Sequence, residues 1–223
     1  MPITLDDLNI VQTPLSASQY VKEMPKKTQI VLHHTVSNRN AANVIRGWDK
    51  TPERVATAVV VGGDGVIHQA YSSKYWASHL GLGTKHFTPL GLKYQNLDKS
   101  SIGIEICAAG PLKYEAGVFK NIYGQTIPNN EVEELETPFK KHKFWHTYTQ
   151  EQIDSVEKLL RYWTRVYDIP LVYNEEMWDI NKDAMSGMPG IWNHTSYRTD
   201  KSDCYPAANL IEMLKSLWLF TGT

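Results

Sequence analysis

Cysteine is nearly absent: the 223-residue chain has two, Cys107 and Cys204. Two thiols cannot build the disulfide framework of a small secreted domain, which leaves free thiols or, for Cys204, a metal ligand. An excess of either charge is missing as well. With 23 basic and 24 acidic residues the formal net charge is −1, so non-specific binding to nucleic acid or to anionic membranes has no electrostatic footing. No apolar run approaches the ~20 residues of a membrane-spanning helix; the longest near the C-terminus is Leu217-Trp218-Leu219-Phe220. Membrane insertion is therefore not expected. The first residues, Met-Pro-Ile-Thr-Leu-Asp-Asp, contain neither the basic nor the apolar segment of a signal peptide, and the expectation is a protein cytoplasmic at synthesis. Internal repeats and low-complexity linkers are lacking too.

Aromatic residues are plentiful. Seven Trp and twelve Tyr exceed what packing alone requires, and some are expected to line a carbohydrate or peptide groove. Residues 1–27, with Pro2, Pro14 and Pro25, read as a loosely structured lead-in to a single domain over 28–223. Thr28 to His34 is a β-rich run, and Asn40 to Trp48 can form a helix with Val44, Ile45 and Trp48 on one side. Gly62-Gly63-Asp64-Gly65 between Ala58–Val61 and Val66-Ile67 signals a hairpin. Ser101-Ile102-Gly103-Ile104-Glu105-Ile106-Cys107 alternates as a half-buried strand does, with Glu105 on a polar face expected to open on a cleft.

Residues 108–148 look irregular, an inserted hairpin or lid broken by Gly117, Gly124, Pro128 and Pro138. Thr149 and Gln152 then form a capping box, and Ile153, Val156, Leu160, Trp163 and Tyr167 carry a helix to Asp168. After a second irregular insertion, 169–190, Gly190 to His194 is a short strand ending in histidine. Pro206 opens a last helix with Leu210, Ile211, Leu214 and Leu217 on its apolar stripe. The fold class expected is α/β, a mixed central sheet flanked by helices, with a site in a cleft at the sheet face and inserted irregular segments.

Three places carry chemistry. In His33-His34 the two rings must face opposite ways on a strand; Ile30, Leu32 and His34 share one parity, which turns His33 toward a cleft. The loop from His194 to Pro206 concentrates His194, Arg198, Asp200, Lys201, Asp203 and Cys204 between a strand and a helix, where ligands and catalytic groups are commonly placed. Glu105 is the third. Together, His33, His194 and one of Asp203 or Cys204 would give Zn2+ two imidazoles and an anion, leaving a fourth position for water. Glu105 would accept that water's proton.

Four stretches in this order, Ile30-Val31-Leu32-His33-His34-Thr35, Val61 to Ile67 with Trp76-Ala77-Ser78-His79, Ser101-Ile102-Gly103-Ile104-Glu105, and His194 with Lys201-Ser202-Asp203, resemble the type-2 N-acetylmuramoyl-L-alanine amidases. That superfamily includes AmpD-type recycling amidases, phage endolysins and peptidoglycan recognition proteins. The resemblance implies a zinc hydrolase that cuts between N-acetylmuramic acid and L-alanine in peptidoglycan. It makes His33, His194 and Asp203 the metal ligands, Asp203 being favoured over Cys204 because it lies two residues after Lys201. The usual proline after this ligand is displaced to Pro206. The resemblance also makes Glu105 the catalytic base, since Thr57 and Ala58 stand where other branches have a tyrosine and a histidine. Lys201 is implied as an oxyanion partner, and Trp76 and His79 as substrate-binding residues. The expected partner is peptidoglycan or a muropeptide, without nucleic acid, and the expected state is a monomer. A lytic, endolysin-like role is favoured over muropeptide recycling and over a binding module without catalysis.

Overall fold

The computed structural model describes residues 3–217, so Trp218, Leu219 and Phe220 of the C-terminal apolar run lie outside the described residues. Eleven strands are named among them: β1 (Ile10–Gln12), β2 (Gln29–His34), β3 (Val59–Val61), β4 (Ile67–Gln69), β5 (Ser101–Ile106), β6 (Pro111–Glu115), β7 (Val118–Lys120), β8 (Thr126–Ile127), β9 (Val132–Phe139), β10 (His142–His146) and β11 (Gly190–Asn193). Six of them form the central mixed sheet, in the order β1-β4-β3-β5-β2-β11. β3 and β4 are the antiparallel hairpin. The contacts β11–β2, β2–β5 and β5–β3 are all parallel.

Parallel strands need covering on both faces, and the sequence supplies it. Ile30, Val31, Leu32, Val59, Val60, Val61, Ile102, Ile104 and Ile106 are all buried. Helix α1 (Ala41–Trp48) starts at Asn40, whose side chain accepts from the Asn43 backbone amide. Helix α2 (Gln150–Tyr167) begins at the capping box and ends where Asp168 takes a left-handed conformation. It buries Ile153, Val156, Leu159, Leu160 and Trp163 and meets helix α3 (Ala208–Ser216), which buries Leu210, Met213 and Leu214.

Three expectations change. The lead-in is not loose. Ile10–Gln12 pairs in parallel with β4 as an edge strand, Leu8 and Leu15 are buried, and the Gln12 amide donates to Gln69 at 2.7 Å. β-branched Ile10 and Val11 suit that edge, and Pro14 lies beyond it. Nor is 108–148 irregular: it folds as a second, five-stranded antiparallel sheet, β8-β7-β6-β10-β9. Its glycines sit in the turns, Gly117 and Gly124 both with positive φ. Finally, the polar face of β5 does not open widely, because Ser101 and Gly103 are buried with the isoleucines and only Glu105 reaches partial exposure.

Candidate active site

Register builds the site. His33 on β2 pairs with Glu105 on β5, and Asn193 on β11 pairs with Leu32, so the next residue, His194, comes level with His33. Paired residues of parallel strands share a face. Three adjacent strands thus present His194, His33 and Glu105 in a row at their C-terminal ends, the end where open α/β sheets place ligands. His34 turns the other way. Its Nδ1 lies 2.8 Å from the Tyr148 hydroxyl, and its ring meets Trp145 and Tyr205.

The loop after His194 brings Asp203 onto the two imidazoles. His194 Nδ1 lies 2.8 Å from Asp203 Oδ2 and 3.0 Å from His33 Nδ1. His33 Nδ1 is 3.3 Å from the same carboxylate oxygen. Asn193 holds this loop: its amide nitrogen donates to the Cys204 carbonyl at 2.8 Å and its oxygen accepts from the Cys204 amide. Cys204 itself is fully buried, with its thiol against Tyr148, so Asp203 and not Cys204 completes the triangle.

His33, His194 and Asp203 are the residues that could hold a metal ion. Metal–ligand bonds of about 2.0–2.2 Å at tetrahedral angles separate neighbouring ligand atoms by about 3.3–3.5 Å. The observed triangle is a few tenths of an ångström tighter than that. Its donor set, two imidazole nitrogens and a carboxylate oxygen, is the one expected of a hydrolytic zinc centre with an open position. Each ring is also steadied from behind, His194 Nε2 by the Leu80 carbonyl at 3.3 Å and His33 Nε2 by His79 at 2.9 Å, as metal-bound histidines generally are. The residues fit the group.

Electrostatics suit the same chemistry. Burial, then the charge of His194, lowers the His33 pKa to about 4, which keeps the ring neutral. Burial alone would raise Asp203, but the charge and hydrogen bonds of His194, and then those of His33, hold its carboxyl well below the ordinary range. Glu105 goes the other way: burial and then the Asp203 charge push its pKa well up, against a smaller opposing effect of Lys201. Among the described residues no hydrogen bond or ion pair ties down the Glu105 carboxylate.

These groups line a cavity of about 250 Å³, with Lys201, Thr57, Trp48 and Val55 among its other wall residues. Trp48 and Val55 were not singled out by sequence as site residues: Trp48 read as one more residue of an apolar helix face, and Val55 carried no signal. Asn193 was also missed, although an asparagine just before the strand-ending histidine was a usable signal. Thr57 cannot replace a tyrosine: it is buried, and its hydroxyl donates to the Val59 carbonyl at 2.9 Å. Trp76 does not line the cavity. It is bridged to Val21, donates to Glu23 at 3.1 Å and lies under Lys99, because the segment before β2 folds against it. His79 does reach the cavity wall, but as a buried residue with both ring nitrogens engaged.

Comparison with known proteins bears on the fold and the family. Among solved structures, a PlyL variant superposes with a TM-score of 0.50 at 13% identity, over 94% of this chain and 98% of that one. The endolysin N-acetylmuramoyl-L-alanine amidase LysCS from Clostridium intestinale gives 0.50 at 15% identity, over 94% and 95%. Both likenesses concern the fold. No curated protein matches by sequence. The family described as N-acetylmuramoyl-L-alanine amidase matches residues 24–206, a span that holds β2, β5, β11 and the whole triangle, and the chain belongs to that family.

Proposed function

We propose that the protein is a zinc-dependent amidase that releases stem peptides from polymeric peptidoglycan, in a lytic role. The observation that carries the zinc reading is the triangle of His33 Nδ1, His194 Nδ1 and Asp203 Oδ2 beside an unpaired Glu105. His33, His194 and Asp203 would hold the zinc ion, which when bound would supply a water acidified to a pKa of about 7 and Lewis-acid polarisation of the scissile carbonyl. The rest falls to the chain's own groups. Glu105 takes the proton of the attacking water, and a pKa raised above the ordinary carboxylate range by burial and by the Asp203 charge makes it a stronger base. Lys201, whose ammonium has no hydrogen-bonded partner among the described residues, faces the developing oxyanion. Such a donor is typically worth a few kcal/mol. Glu105 then returns its proton to the departing alanine nitrogen, so base and acid are the same carboxyl in turn.

Two further observations support a polymeric substrate. The five-stranded insertion carries Phe119 in ring contact with both Tyr114 and Phe144, and Tyr114 is exposed; aromatic faces of this kind suit sugar rings. LysCS, of the same fold, is described as an endolysin. The test is digestion of purified sacculi with mass spectrometry of the products, alongside metal analysis. We expect about one zinc per chain, peptide-free glycan strands, and new L-alanine amino termini. His33→Ala and His194→Ala should lose both metal and activity. Full zinc content in both variants would sink the site, and cleavage confined to soluble muropeptides would sink the lytic role.

A further inference from the structure

Behind His33 runs a line of four groups whose protons can be placed from distances alone. Ser101 Oγ lies 2.7 Å from the Leu97 carbonyl oxygen. A carbonyl oxygen only accepts, so a contact that short between two oxygens requires the single serine proton to lie between them. His79 Nε2 lies 2.8 Å from the same Ser101 Oγ. Since the serine proton is committed, the imidazole must donate. A neutral His79 then has a bare Nδ1, and His33 Nε2 lies 2.9 Å from it. The proton of that bond must belong to His33.

We infer that Ser101 and His79 are positioning residues that fix the His33 proton on Nε2, so that its bare Nδ1 is presented to His194 and Asp203. The inference rests on the reading of His33 as a ligand. Without the line, the neighbouring Asp203 carboxylate, 3.3 Å from His33 Nδ1, would favour the opposite tautomer, whose Nδ1 cannot bind a cation. His194 needs no intermediary, because the Leu80 carbonyl stands directly behind its Nε2. His33, on the middle one of the three strands that carry the site, reaches a carbonyl only through two side chains, His79 and Ser101.

The packing around His79 is built for this placement. A Cβ at Gly103 would lie 3.2 Å from His79 Nδ1 and 2.5 Å from the Thr57 methyl. The glycine between Ile102 and Ile104 therefore gives the ring its place against β5. Asp98 accepts from the backbone amides of His79 and Leu80 at 2.8 and 2.9 Å, which fixes the turn from which the ring projects.

The test reads protons and metal separately. Long-range nitrogen–proton NMR of uniformly labelled protein, metal-free and zinc-loaded, reports the tautomer of each histidine, and competition with a chromophoric chelator gives zinc affinity. We expect His79 and His33 both protonated on Nε2 in both states. Ser101→Ala and His79→Leu should weaken zinc binding by about 10–100-fold, the usual effect of losing such a partner. His79→Asn, whose side-chain oxygen takes the place of Nδ1 as acceptor, should recover most of the affinity. His79 carrying its proton on Nδ1 would overturn the inference, and so would His79→Asn binding zinc as weakly as His79→Leu. If the wild-type protein binds no zinc yet shows both predicted tautomers, the metal reading fails and the proton line stands.

Discussion

Glu105 occupies the one partly open position on a strand whose other side chains are sealed. Burial is the main reason its pKa is raised, with Asp203 second and Lys201 opposing, so on the proposed mechanism its surroundings bear on the acid limit of catalysis. The base must be ionised, so the acid limb of the rate profile should lie above the ordinary carboxylate range. Lys201→Met should move it further up and lower the maximal rate; an unmoved limb would show that Lys201 does not act on Glu105. Glu105→Gln should cost about a hundred- to ten-thousandfold in turnover while leaving zinc content intact, and near-normal release of L-alanine termini by that variant would assign the base elsewhere. Single residues were legible in sequence where strand parity decided them: alternation alone separates the surroundings of His33 from those of His34. His79 was legible as a residue of interest but not in its placement. It hydrogen-bonds His33 across 46 residues, and no local pattern encodes such a contact.

Among the elements, α2 was the most legible, since its start depends on neighbours in sequence. Thr149 Oγ1 accepts from the Gln152 amide and donates to the Gly63 carbonyl at 2.9 Å. Gln152, fully buried, returns the capping bond to Thr149 and donates to the Val61 and Cys107 carbonyls at the C-terminal ends of β3 and β5. Thr149→Ala should destabilise by about 1–2 kcal/mol in urea unfolding. Gln152→Ala should cost more, because it strips partners from buried carbonyls; equal losses would mean that only the helix cap matters. The five-stranded insertion was illegible for a physical reason. β9 is its edge strand and carries Glu133, Glu134, Glu136 and Pro138, residues that discourage further pairing and mimic a loop in sequence. What fixes β9 is distant: Glu133 accepts from the Tyr205 hydroxyl at 2.8 Å and from the Ala208 amide at the start of α3.

For the whole molecule, buried imidazoles set the response to acid. His33 and His34 have pKa values lowered to about 4 by burial, and those of His79 and His146 are lowered chiefly by burial too. Each depressed value lies below that of the unfolded chain, so between about pH 6.5 and about pH 4 the unfolded chain binds more protons and stability falls with pH. Glu105 and Asp98, raised by burial, act in the opposite direction but are fewer. Each tenfold change in proton affinity is worth about 1.4 kcal/mol. The metal-free protein should lose thermal stability steadily across that window, and a flat profile would mean that the four rings are already protonated or hydrated. Sheet register has a consequence for how the chain reaches this state. β2 finds its partners in β5 and β11, and His33 meets His194 across 161 residues. Contacts so far apart form only after much chain entropy has been lost. The His33–His194–Asp203 corner is therefore expected to close late, after the central strands have assembled, so that an ion would not nucleate this fold as it does in small zinc domains. On the proposed zinc reading, an ion held at this corner would act on the finished molecule, as a brake on unfolding.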